Sequence, residues 1–145
     1  MVPGTILSLA SGEARHVYQL TDEEFDRVVE DALAAFPDRF IEAFENVAIV
    51  VADEPTPHQL RSIGRTEAES RGSELLGLYE GVPLTERGFG YGDGEVPDVI
   101  SIFKGPHERC FATREGLVEQ IRKTVVHEVG HYFGNDEETL RAMGY

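Results

Sequence analysis

His127 and His131 stand four residues apart near the end of the chain, with Glu128 directly after the first of them. On a helix, side chains four apart lie one turn above each other on one face, so both imidazoles can reach a single metal ion. Zn²⁺ accepts neutral imidazole nitrogens at ~2.0–2.1 Å, and a catalytic site takes three protein ligands and leaves the fourth position to water. Glu128 is placed to take a proton from that water, so the His-Glu-x-x-His spacing points to metal-assisted hydrolysis. Gly134 follows at the end of the helix, a natural C′ residue. The chain must turn there, and a residue just beyond can swing back as a third ligand.

The rest of the sequence supplies the elements that must hold this stretch in place. Thr21 with Glu24 makes a capping box, and Phe25, Val28, Val29, Ala32, Leu33 and Phe36 recur with helical period before Pro37 stops the helix. Phe40, Ile41 and Phe44 predict a further short helical turn. Val47–Ala52 is a continuous β-rich apolar run and reads as a strand covered on both faces. Residues 58–73 form a polar excursion, partly helical or mobile. Leu75–Glu80 and Asp98–Phe103 read as two more strands, and Gly105-Pro106 as a turn. The alternating glycines of residues 88–94 precede no helix, so a flexible connection or cleft rim fits them better than a phosphate loop.

From Thr113 the helical period returns, with Leu117, Ile121, Val125, Val129, Tyr132 and Phe133 on an apolar side and the two histidines on an adjacent one. Residues 137–143 complete a last short helix. The expected fold is α+β, a small mixed sheet packed against an N-terminal helix and the helix of His127 and His131. Residues 1–20 read as an irregular lead-in and residues 21–145 as one domain.

Composition narrows the function classes. The net charge of −14 repels phosphate backbones and anionic membranes, which weighs against nucleic-acid or membrane binding and favours a cationic peptide. No run of eighteen apolar residues and no basic n-region with an apolar h-region is present, so the default expectation is a cytoplasmic protein. The single cysteine, Cys110, excludes an intrachain disulfide and a cysteine-rich zinc site. His107, beside Glu108 and Arg109, reads as an exposed loop histidine rather than a polarising donor in the cleft.

The H-E-V-G-H-Y-F-G-N-D-E run, the final M-G-Y and the upstream L-L-G-L-Y-E-G-V-P-L-T-E-R-G resemble the bacterial mini-zincins, the minimal zincin-like metallopeptidases. The resemblance implies a zincin-like fold, a Zn²⁺ cofactor and the pattern H-E-x-x-H-x-x-G-x-x-D, with a carboxylate as third ligand. Carried over, His127 and His131 become ligands, Glu128 the general base and Gly134 the turn. The tenth position after His127 holds Glu137 where the pattern has Asp. The third ligand is thus Glu137 by position or Asp136 by residue type, with Glu137 preferred. Tyr145 would support the site in place of the Met-turn of larger zincins, and the Leu75–Glu80 strand would border the cleft as an edge to which a peptide adds.

Two functions follow as expectations. One is a zinc peptidase acting on a peptide or protein substrate. The other is a binding or regulatory module that keeps the zincin architecture with little or no proteolysis. A second copy of the chain is a further partner, as a homodimer.

Overall fold

The computed structural model describes residues 5–8, 17–64, 73–88, 91 and 96–142, with residues 6–8, 137, 140 and 141 described through their backbone alone. The elements in chain order are β1 (Thr5–Ser8), α1 (Asp22–Ala34), α2 (Asp38–Glu42), β2 (Val47–Ala52), α3 (Pro57–Ser62), β3 (Ser73–Glu80), β4 (Asp98–Phe103), α4 (Lys104–Cys110), α5 (Arg114–Tyr132) and α6 (Glu137–Ala142). The strands form a mixed sheet in the order β1-β3-β4-β2. β3 runs antiparallel to both β1 and β4, and β4 parallel to β2.

The architecture is the expected α+β arrangement of a small mixed sheet against helices. α1 begins at the capping box: Thr21 Oγ1 accepts from the Glu24 N–H at 3.1 Å while Glu24 accepts from the Thr21 N–H. Its apolar stripe, Phe25, Val28, Val29 and Ala32, meets Leu117, Ile121, Val125 and Val129 of α5 and Tyr79, Ile100 and Ile102 of the sheet in one buried cluster. A smaller cluster gathers Leu60 of α3, Leu75 and Leu78 of β3 and Phe103 of β4. Among the described residues no helix is long and apolar enough to cross a membrane.

Three expectations are corrected. Val47–Ala52 forms its strand but lies at the edge of the sheet, with Ala48 exposed and Val50 42% exposed, so its apolar run is not covered on both faces. Gly105-Pro106 lies in the first turn of α4 rather than in a loop; a proline there has no intrahelical N–H bond to lose. The lead-in contributes β1, and β1 occupies the side of β3 that was expected to be open. Among the described residues the three expected strands are therefore four. From the 58–73 excursion, α3 takes the first residues behind a Thr56–Gln59 capping box, and residues 65–72 lie outside the described set.

What fixes the sheet against α5 is Gly77 in the middle of β3. A Cβ there would stand 2.7 Å from the Thr124 γ-methyl, 3.2 Å from Glu128 Cγ and 3.2 Å from the Ser101 carbonyl oxygen. Two of those neighbours belong to α5 and one to the adjacent strand, so the missing side chain is what lets helix and sheet close at this point. Gly77→Ala should destabilise the fold by about 1–3 kcal/mol, the usual cost of overpacking a core. A drop in urea midpoint at unchanged slope is the expected result, and an unaltered midpoint would mean that β3 is not pressed against α5.

Candidate metal centre

α5 starts at Thr113, whose hydroxyl accepts from the Gly116 N–H at 3.1 Å, and ends in a turn that orients one of the histidines. Gly134 takes φ +93°, a left-handed conformation that L side chains rarely adopt, and a Cβ there would meet the Thr85 hydroxyl at 2.3 Å. The Gly134 N–H donates to the His131 carbonyl at 2.9 Å and the Asn135 N–H to the Gly130 carbonyl at 3.0 Å, the paired bonds of a Schellman ending. This turn carries the Asn135 carbonyl back to His131, whose Nδ1 lies 2.9 Å from it. A carbonyl only accepts, so Nδ1 carries the proton and Nε2 carries the lone pair, on the side that faces His127.

His127 and His131 meet as their spacing implies. Their rings stand 4.7 Å apart at 74°, and the two Nε2 atoms are 3.1 Å from each other. Two nitrogens bound tetrahedrally to one zinc at ~2.05 Å would be ~3.3 Å apart, so this pair fits the ion. Both rings are buried, His127 at 6% exposure and His131 at 1%. Glu128 is fully buried, and its Oε2 accepts a hydrogen bond from the Thr5 hydroxyl of β1 at 2.5 Å.

The carboxylates after the turn divide. Asp136 caps α6, its Oδ1 accepting from the Thr139 N–H at 2.8 Å, and these hydrogen bonds from Thr139 hold its carboxyl below the usual range. Glu137 is the first residue of α6, directly after the turn, and its side chain lies outside the described set, as do Met143 and Tyr145. Among the described residues no group of three or more His, Cys, Asp or Glu is assembled to hold a metal ion. The described donors are thus the imidazole pair, with a third still required.

A polar network ties down the end of α5. The Tyr132 hydroxyl accepts from the Glu45 N–H at 2.7 Å, and its ring packs edge-on to Tyr79 and Phe44. Arg87 reaches across with its guanidinium 5.1 Å from the Tyr132 ring centre and 2.7 Å from Asp98 Oδ2, which also accepts from Tyr79. Burial and the bond to Asp98 push the Tyr79 phenol well above its ordinary value. Asp98 is 2% exposed and satisfied by Arg87, Tyr79 and the Val82 N–H, which is how the charge is tolerated inside.

A zincin-like metallopeptidase family profile matches residues 44–145, well over half of the chain, and spans the histidine pair and Glu128. The chain belongs to the zincin-like metallopeptidase family. No curated protein matches this zincin-like chain.

Sequence reasoning missed three parts of the centre in this zincin-like protein: the Asn135 carbonyl, the Gly77 contact and Thr5. The lone glycine inside the Leu75–Glu80 run was the available signal for the second, because glycine in a strand interior marks close backbone approach. His107 is a correction. It lies buried on α4, where Nδ1–H donates to the Phe103 carbonyl at 2.7 Å, Nε2 accepts from the Thr124 hydroxyl at 2.9 Å, and its ring meets Phe25 edge-on. Burial pulls its pKa down to about 4.

An unfolded His107 binds a proton near pH 6.5 and the folded one only near pH 4, so the unfolded chain holds the extra proton in between. Stability should then fall as pH drops through that window, by roughly 3 kcal/mol. His107→Gln should lose this part of the dependence, read as a shallower fall of the urea midpoint than in the wild type. Equal slopes would show that His107 does not titrate against folding.

Proposed function

We propose that this zincin-like protein is a peptidase that holds zinc through His127, His131 and Glu137. The observation that carries this reading is the convergence of two imidazole Nε2 atoms at 3.1 Å beside a buried glutamate on the same helix. When bound, the ion supplies Lewis-acid polarisation of a peptide carbonyl. Glu128 takes the proton of the attacking water and delivers it to the leaving amine, the two halves of general acid–base catalysis. The Asn135 carbonyl keeps His131 in the tautomer that offers Nε2. The Glu137 assignment rests on its position after the Gly134 turn and on the engagement of Asp136 as the cap of α6. Tyr145 is assigned a supporting role on the resemblance alone. The proposed partner is a peptide or protein substrate, and the proposed location is the cytoplasm.

The second reading is a peptide-binding or regulatory module with little or no proteolysis. Two observations favour it, and on the described residues it has the more direct support. The zincin-like fold is present while a three-ligand set is not assembled among those residues, and the glutamate that would act as base is engaged by Thr5.

Zinc titration and cleavage of a peptide library separate the two. Wild type should bind about one zinc per chain, and Glu128→Gln should keep zinc while losing cleavage ~10²–10⁴-fold. Glu137→Ala should weaken zinc affinity by at least ~100-fold, beyond the ~10–100-fold typical of outer hydrogen-bond partners. Asp136→Ala should leave zinc affinity intact and lower the urea midpoint slightly, as a lost helix cap does. Stoichiometric zinc without cleavage by the wild type would favour the module, and no zinc binding would end the peptidase reading.

A further inference from the structure

β1 lies where an extended peptide would pass the buried carboxylate. It pairs antiparallel with β3, with Thr5 opposite Gly77, Ile6 opposite Leu75 and Ser8 opposite Ser73. Gly77 is also the point where β3 presses on α5, within 3.2 Å of Glu128 Cγ for a Cβ built there. Whatever residue pairs with Gly77 is therefore carried to Glu128. Thr5 makes that contact, its hydroxyl donating to Glu128 Oε2 at 2.5 Å.

The attachment is slight. β1 has four residues, against the six ladder pairs that join β2 to β4, and its register shifts between Thr5 and Ile6. A short outer strand with an irregular ladder belongs to the part of a fold that opens first. The edge left behind would present unpaired N–H and C=O groups to any extended chain, which is how strand addition gains affinity.

We propose that β1 is a built-in occupant of a peptide-binding edge: β3 from Ser73 to Gly77 takes an extended antiparallel peptide with a small hydroxyl residue opposite Gly77, and β1 leaves before that peptide enters. A cationic peptide is the fitting partner, because the chain carries a net charge of −14. The inference rests on the peptidase reading only for its catalytic consequence, in which the docked β1 keeps Glu128 engaged and the enzyme at rest. The competition itself rests on the strand pairing. If β1 is detached in ~1–10% of molecules, the affinity of an outside peptide is lowered ~10–100-fold.

The test uses the full chain in a chelator, so that binding is read without catalysis. The probe is a fluorescent peptide copying residues 3–10, Pro-Gly-Thr-Ile-Leu-Ser-Leu-Ala, with two lysines appended. Ser8→Cys with Ser73→Cys places cysteines at paired positions, so oxidation should tether β1 to β3. The oxidised protein should bind the probe at least ~10-fold more weakly than the same protein after reduction. Ile6→Pro with Leu7→Pro, which removes ladder donors from β1, should bind ~10–100-fold more tightly than the wild type. The tethered pair carries the test alone if the proline variant fails to fold. Equal affinity before and after reduction, or no tether on oxidation, would overturn the proposal. Redox-gated binding without cleavage in zinc would sink the peptidase reading and leave this one standing; cleavage with ungated binding would do the reverse.

Discussion

The close approach of β3 to α5 at Gly77 is the constraint on which the rest of the centre depends. Thr124 and Glu128, one helical turn apart on α5, both lean on the space where that residue has no side chain. The contact sets the depth at which α5 lies on the sheet, and Glu128 is buried beside it. It also links the two buried hydrogen-bonded systems of the helix. Thr124, pressed against Gly77, donates to His107 on one side, and Glu128 receives Thr5 on the other. The bare backbone at Gly77 thus brings the sheet edge and Glu128 within reach of one another.

The end of α5 has its own support, of a different kind. The Schellman turn at Gly134 satisfies the last carbonyls and delivers the Asn135 carbonyl to His131. Two residues before Gly134, Tyr132 is gripped by the Glu45 backbone and faced by Arg87, which is paired to the buried Asp98. Buried ion pairs add little net stability against an apolar alternative, because each charge loses its water. Their effect here is geometric: Asp98 opens β4, Arg87 follows the Leu84–Glu86 turn, and together they fix where the helix carrying the histidines can stop. Gly81 completes the arrangement, since a Cβ at that position would collide with the Asp98 side chain.

Much of this was legible in the sequence because it is local. The capping box at Thr21, the period of α1 and α5, the limits of Asp98–Phe103 and the facing of His127 and His131 all follow from spacing over a few residues. The failures involve pairing at long range. Val47–Ala52 looks like a central strand because its residues are apolar, and only the strand order shows it to be an edge. Thr5 lies 123 residues from Glu128, and no periodicity in the lead-in announced a strand there. His107 looked exposed because its neighbours are charged. In the structure Glu108 turns inward as well, accepting from the Leu20 N–H at 2.7 Å, so charged neighbours were a poor guide to burial on α4. The choice between Asp136 and Glu137 turns on which carboxylate the helix α6 uses as its cap, and that depends on where the α6 helix begins.

The proposed zinc shell consists of two imidazoles and a carboxylate, with no sulfur. X-ray absorption at the zinc edge on the zinc-loaded full chain measures that shell directly. Four nitrogen or oxygen neighbours at ~2.0–2.1 Å, with the outer scattering of two imidazole rings, are expected. A sulfur neighbour at ~2.3 Å, or a shell with fewer than two imidazoles, would contradict it.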